Sequence, residues 1–159
     1  MEYKEFRNAA YRHLVSCKQM LSDVTNTQIQ QDVKNRLCLE VYYLSGYILE
    51  TMLSYAVCSS MNVEGDINKS KPFTTDSAEF KTHRLMQKYN YAINNGCIGL
   101  RNLCFFQIPH QNSDIQKLFT NWTIEYRYKK RENISQDLLV EYINSIENIY
   151  EEIFKKYTI

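Results

Sequence analysis

The chain reads as an all-α protein, an antiparallel bundle of about five helices, and three observations lead there. The first is the segment Leu39 to Val57, LEVYYLSGYILETMLSYAV, which is apolar on nearly every face of a helix yet carries Glu40, Gly46 and Glu50. A helix apolar all round belongs at the centre of a fold, and a carboxylate inside it must be paired, hydrogen-bonded or protonated. The second is that four Gly and two Pro in 159 residues supply few turn signals, which favours a few long helices over many strands. The third is that apolar residues recur at three- and four-residue spacing along most of the chain.

The first helix is expected from Tyr3 to Leu21, with Phe6, Ala10, Leu14, Cys17 and Leu21 on its buried stripe. Ser22 to Thr27 is a polar turn rich in capping residues. The second helix runs from about Gln28 to Ser59, starting on a solvated face (Gln30, Gln31, Asp32, Lys34) and continuing into the apolar segment. A loop follows at about 62–77, marked by Gly65, Pro72 and the polar string from Asp66 to Lys71.

The third helix fits Ala78 to Asn94, with Phe80, Leu85, Tyr89 and Ile93 near one face, and Gly96 supplies its left-handed stop. The stretch 97–109 reads equally as a short helix or an extended segment. Ser113 is the expected N-cap of a fourth helix, Asp114 to about Tyr128, with Ile115, Leu118, Phe119, Trp122 and Tyr126 inward. Ser135 caps the last helix, Gln136 to Tyr157, whose stripe is Leu139, Tyr142, Ile146, Ile149, Ile153 and Tyr157. Leu44, Ile48, Met52, Trp122, Ile146 and Ile149 are the predicted centre of the core.

Composition narrows the class further. One domain over 1–159 is expected, large enough for a core without staples. Lys plus Arg number 19 against 18 Asp plus Glu, so no global field steers the chain toward nucleic acid or membrane, and any basic footprint must be local. Five Cys without a CxxC pair make neither a disulfide framework nor a zinc site. They read as small core residues in a reducing cytoplasm. No metal and no cofactor is expected. Glu40 and Glu50 break the best membrane-spanning candidate, so no membrane partner is expected either.

Three short motifs stand in order along the chain. Tyr43, Gly46, Tyr47 and Glu50 form Tyr-x-x-Gly-Tyr-x-x-Glu; Thr82, His83 and Leu85 form Thr-His-x-Leu; Trp122 precedes Arg127-Tyr128. In combination they resemble the HEPN family, small all-α domains of prokaryotic toxin–antitoxin, phage-defence and RNA-processing systems. The resemblance covers about Tyr3 to Tyr157.

Catalytic members of that family are metal-independent ribonucleases that use an Arg followed, after four to six residues, by a His. There the His works on the ribose 2′-hydroxyl or the leaving oxygen, and the Arg holds charge on the transferring phosphate. In this chain Arg127 is followed by residues 128–134 without a His, and Arg101 to His110 is too long a gap. Arg7 to His13 has the spacing but lies in the first helix, where the family does not place its site. The resemblance therefore implies a non-catalytic or degenerate helical module, dimeric, that binds a partner protein, a nucleotide or RNA in a defence or toxin–antitoxin-like system. The alternative is a metal-independent ribonuclease with a displaced Arg–His site, for which Arg7 and His13 are the candidates. Family habit makes a second copy of the chain, a nucleotidyltransferase-type protein or RNA the expected partners.

The remaining candidates each have two readings. Glu50 and Arg127 either line a pocket or form an ion pair between the second and fourth helices, with His83 as the other possible partner of Glu50. His83 either packs at a helix start and orients the loop or does acid–base work. Arg127, Lys129, Lys130 and Arg131 either receive phosphates or form a solvated helix end whose cations complement the macrodipole. The thirteen Tyr, Tyr47 among them, either stack on bases or fill core and interface.

Overall fold

A computed structural model describes residues 2–25, 28–103, 106, 110–129 and 134–158. Among them the chain is all-helical, without a strand. The helices are α1 (Lys4–Val24), α2 (Gln31–Ser60), α3 (Lys71–Thr74), α4 (Ser77–Phe80), α5 (Leu85–Asn94), α6 (Ser113–Asn121) and α7 (Gln136–Tyr157). Single 3-10 turns cover Ile67–Lys69, Ile98–Asn102 and Ile124–Tyr128.

α2 is the centrepiece that its composition predicts. It packs on α1, α7, α5 and the 124–128 turn, and every residue from Met52 to Ser59 is buried. Its buried hydroxyls are satisfied locally or across the bundle, as they must be in a dry interior. Ser45 donates to the Tyr42 carbonyl at 2.6 Å, and Ser59 and Tyr55 both donate to the Tyr157 carbonyl, latching the end of α7 to the end of α2. Tyr42 Oη donates to the Leu118 carbonyl at 2.8 Å and ties α6 to the same helix. Of the predicted central residues Ile48, Met52, Trp122, Ile146 and Ile149 are buried, whereas Leu44 is only partly so and faces a groove.

Three local expectations change. The loop at 62–77 is not featureless, since it contains the 67–69 turn and α3. The expected helix from Ala78 to Asn94 breaks at residues 81–84, where Thr82 Oγ1 accepts from the Arg84 amide at 3.1 Å and Arg84 is extended. A threonine hydroxyl offering the backbone this alternative competes with helix continuation. The expected helix from Asp114 to Tyr128 also splits: Asn112 rather than Ser113 caps α6, accepting from Asp114 N, and Trp122 turns extended after Asn121. At the end of α5, Gly96 does take the left-handed conformation (φ 97°), and Cys97 N donates to the Ala92 carbonyl at 3.0 Å. That bond closes the helix by the Schellman pattern.

Candidate functional site

The site begins with periodicity on α2. Glu40, Tyr43, Tyr47 and Glu50 fall three or four residues apart, so one flank of the buried stretch of α2 carries polar groups. Gly46 lies between them and removes one side chain from that flank. The indole of Trp122 fills the gap, so close that a Cβ on Gly46 would fall inside the ring. Trp122 Nε1 donates to the Tyr43 carbonyl at 3.0 Å, and the ring meets that of Tyr47 edge to face, centroids 5.8 Å apart. This seat stops α6 and sets the 124–128 turn, which carries Arg127, against α2.

The consequence is an open groove of about 410 Å³ lined by His13, Glu40, Tyr43, Leu44, Tyr47 and Arg127. The His13 ring lies 5.9 Å from that of Tyr47, and the hydroxyls of Tyr43 and Tyr47 hydrogen-bond to each other at 2.9 Å. Burial, then the neighbouring Arg12 guanidinium, hold the His13 pKa below its ordinary 6.5, which favours a neutral imidazole near neutral pH. Burial, reinforced by the Tyr43 hydrogen bond, pushes the Tyr47 phenol upward, so it stays protonated. Arg127 is exposed and forms no ion pair with any described residue.

Beyond Tyr47 lies a second polar cluster. The His83 ring is 6.3 Å from that of Tyr47, and its Nδ1 stands 2.9 Å from Glu50 Oε2. Glu50 Oε1 is 3.7 Å from Lys88 Nζ, which donates to the Phe80 carbonyl at 2.7 Å and sits over the Phe80 ring. Lys88 is 2% exposed, and burial lowers its pKa although the Glu50 charge works the other way. Glu50 is thus shielded as predicted, its side chain 13% exposed. The Arg127 pairing is corrected, however: the partners are His83 and Lys88. After the break that ends α6, Arg127 lines the groove that His13 also lines, and it does not pair with Glu50.

The other candidates scatter. Arg7 and His13 share α1 but not a face: the Arg7 guanidinium lies 4.9 Å over the Phe154 ring of α7, while His13 looks into the groove. Tyr128 is 77% exposed, and Lys129 Nζ sits 3.8 Å over the Tyr126 ring. Lys130 and Arg131 lie outside the described residues.

Sequence reasoning missed Lys88 and the placing of His13 in the same groove as Arg127. Lys88 did leave a signal, a cation on the same stripe as Leu85, Tyr89 and Ala92, which calls for a buried carboxylate. His13 left none, because Arg127 is 114 residues away along the chain.

In chemical terms the groove joins a fixed cation, a neutral imidazole, a carboxylate and two phenols. Among the described residues no helix is long and apolar enough to cross a membrane. No protein-family model matches the chain, and no curated protein or solved structure matches it.

Proposed function

We propose that this chain is a HEPN-like, non-catalytic helical module that binds single-stranded RNA in the groove between α1, α2 and the 124–128 turn. Arg127 holds a phosphate, and a base stacks against Tyr47 and His13. The observation that carries this reading is the convergence of an unpaired guanidinium with aromatic rings in one open groove. Phosphate contacts by Arg together with sequence-tolerant stacking on aromatic faces are how single strands are held.

A homodimer fits the same reading. Tyr11 (57% exposed), Val15 (47%) and Phe154 (37%) form an apolar face on α1 and α7, continued by the Tyr11–Tyr150 and Tyr150–Phe154 ring contacts. Such a face suits a second copy in a defence or toxin–antitoxin-like system, and Tyr11→Glu should shift light scattering from dimer to monomer.

A second reading, metal-independent RNA cleavage, is favoured by one observation: His13 shares the groove with Arg127 rather than with Arg7. His13 would take the 2′-hydroxyl proton as that oxygen attacks the adjacent phosphorus, and Arg127 would hold the phosphate charge. The expelled 5′ oxygen needs a proton, and the half-buried phenol of Tyr47, its pKa pushed upward, is a poor acid for that task. Binding without cleavage is therefore put first.

The test is fluorescence anisotropy with labelled single-stranded RNA in EDTA, followed by a gel of the same samples. Arg127→Ala should weaken binding about tenfold or more, as expected for a lost charge-assisted contact, and flatten the salt slope by about 0.7. The RNA should remain intact. RNA binding indifferent to Arg127 would overturn the proposal, and cleavage abolished by His13→Ala would replace it with the second reading.

A further inference from the structure

A second concavity, of about 290 Å³, adjoins the groove through Trp122 and His83. Its walls are largely apolar, from Leu85, Met86, Phe106, Phe119 and Trp122. Two charges of opposite sign also line it: Arg84, at the start of α5, and Glu125, in the same 3-10 turn as Arg127. Both are exposed, they do not pair with each other, and neither side chain is engaged by another described residue.

An aromatic-walled pocket suits a flat, apolar-faced ligand. The two free charges narrow the choice. A carboxylate accepts hydrogen bonds, and guanine alone among the RNA bases presents two adjacent donors, N1–H and the 2-amino group, on one edge. The same base carries O6 and N7 acceptors, the atoms that an Arg fork addresses most often. Adenine, cytosine and uracil set an acceptor beside each donor and would meet the carboxylate with a lone pair.

We propose that this pocket receives a guanine base of the RNA strand whose phosphate rests on Arg127. Glu125 reads the N1 and 2-amino edge, and Arg84 reads the O6 and N7 side. Because Glu125 and Arg127 are two residues apart on one turn, base and phosphate of neighbouring positions meet the same element. This assignment rests on the RNA-binding reading above and gives it a base preference.

The experiment compares three fluorescein-labelled oligouridines that carry, at one central position, guanine, inosine or adenine. The guanine oligomer should bind about tenfold or more tightly than the adenine one, the discrimination a good bidentate contact provides. Inosine, which keeps N1–H but lacks the 2-amino group, should fall between. Glu125→Gln should bring the guanine-to-adenine ratio to within about twofold, and Arg84→Ala should reduce it as well. Equal affinity for the three oligomers, or a preference that survives Glu125→Gln, overturns the guanine assignment. If that equal binding still depends on Arg127, the groove reading stands alone; if none of the oligomers binds, both fall.

Discussion

Trp122 occupies the place that a side chain on Gly46 would take, and its indole N–H is held by the carbonyl of Tyr43 three residues earlier on the same helix. One glycine on the central helix thereby decides where the fourth predicted helix ends. It also decides where Arg127 points. Replacing a mid-helix Gly by Ala ordinarily stabilises a helix by about 0.5–1 kcal/mol.

Here the sign should reverse. Gly46→Ala drives a methyl group into the indole, and overpacking of this kind costs about 1–3 kcal/mol. Trp122 is the one tryptophan of the chain, so its fluorescence reports the event directly. The variant should show a red-shifted emission, a lower midpoint in urea and weaker RNA binding. An unchanged emission maximum would show that the seat tolerates a Cβ.

The cluster of Glu50, His83 and Lys88 makes a second, independent prediction. Lys88→Met leaves Glu50 with only His83, and Glu50→Gln leaves the buried Lys88 ammonium without its counter-charge. Stranding a buried charge costs about 3–5 kcal/mol, while replacing both members of a buried pair is often nearly neutral. Glu50→Gln alone should therefore lower stability more than the double variant Glu50→Gln/Lys88→Met. Urea unfolding of the three proteins measures this, and strictly additive losses would contradict it.

Alkaline lability follows from the buried thiols. Burial raises Cys17 and Cys58 from an ordinary 9.0 to about 12. Each keeps its proton in the folded chain after the unfolded chain has lost it. Their stabilising contribution is complete below pH 9.0 and is lost progressively as pH rises toward about 12. The limiting slope is about 1.4 kcal/mol per pH unit for each thiol. Tyr157, raised from 10.0 to about 12, acts in the same direction at higher pH. Lys88 opposes them, because its lowered pKa makes stability rise with pH up to its ordinary 10.5. The net effect is a fall in melting temperature between pH 8.5 and 10.5 that Cys17→Ala/Cys58→Ala makes shallower. An identical pH profile in that double variant would contradict the assignment.

These outcomes depend on parts of the fold that were unequally legible in the sequence. α1, α2 and α7 could be read almost to their ends because each is long and has an apolar pattern of its own. The breaks at residues 81–84 and after Asn121 could not, since apolar periodicity runs on through both. What interrupts it is the Thr82 hydroxyl in one case and the Trp122 seat on a distant glycine in the other.

The site divides in the same way. Glu50 was legible because a carboxylate in an apolar helix is itself anomalous, and Tyr47 and His83 because each stands in a short motif. Glu50's second partner, Lys88, and the groove that His13 and Arg127 share depend on packing between helices. Arg7 was singled out by spacing alone, and six residues on a helix turn it to a different face from His13.

The most direct measurement of the central claim is a map of where RNA touches the protein. Ultraviolet crosslinking of a 4-thiouridine-labelled single strand, followed by mass spectrometry of the tryptic peptides, gives that map without relying on a variant. Adducts should fall on the peptide that carries Tyr43 and Tyr47 and on the one that carries His13, and excess unlabelled RNA should remove them. Adducts confined to the α1–α7 face around Tyr11 and Phe154, or no adducts at all, would contradict the account.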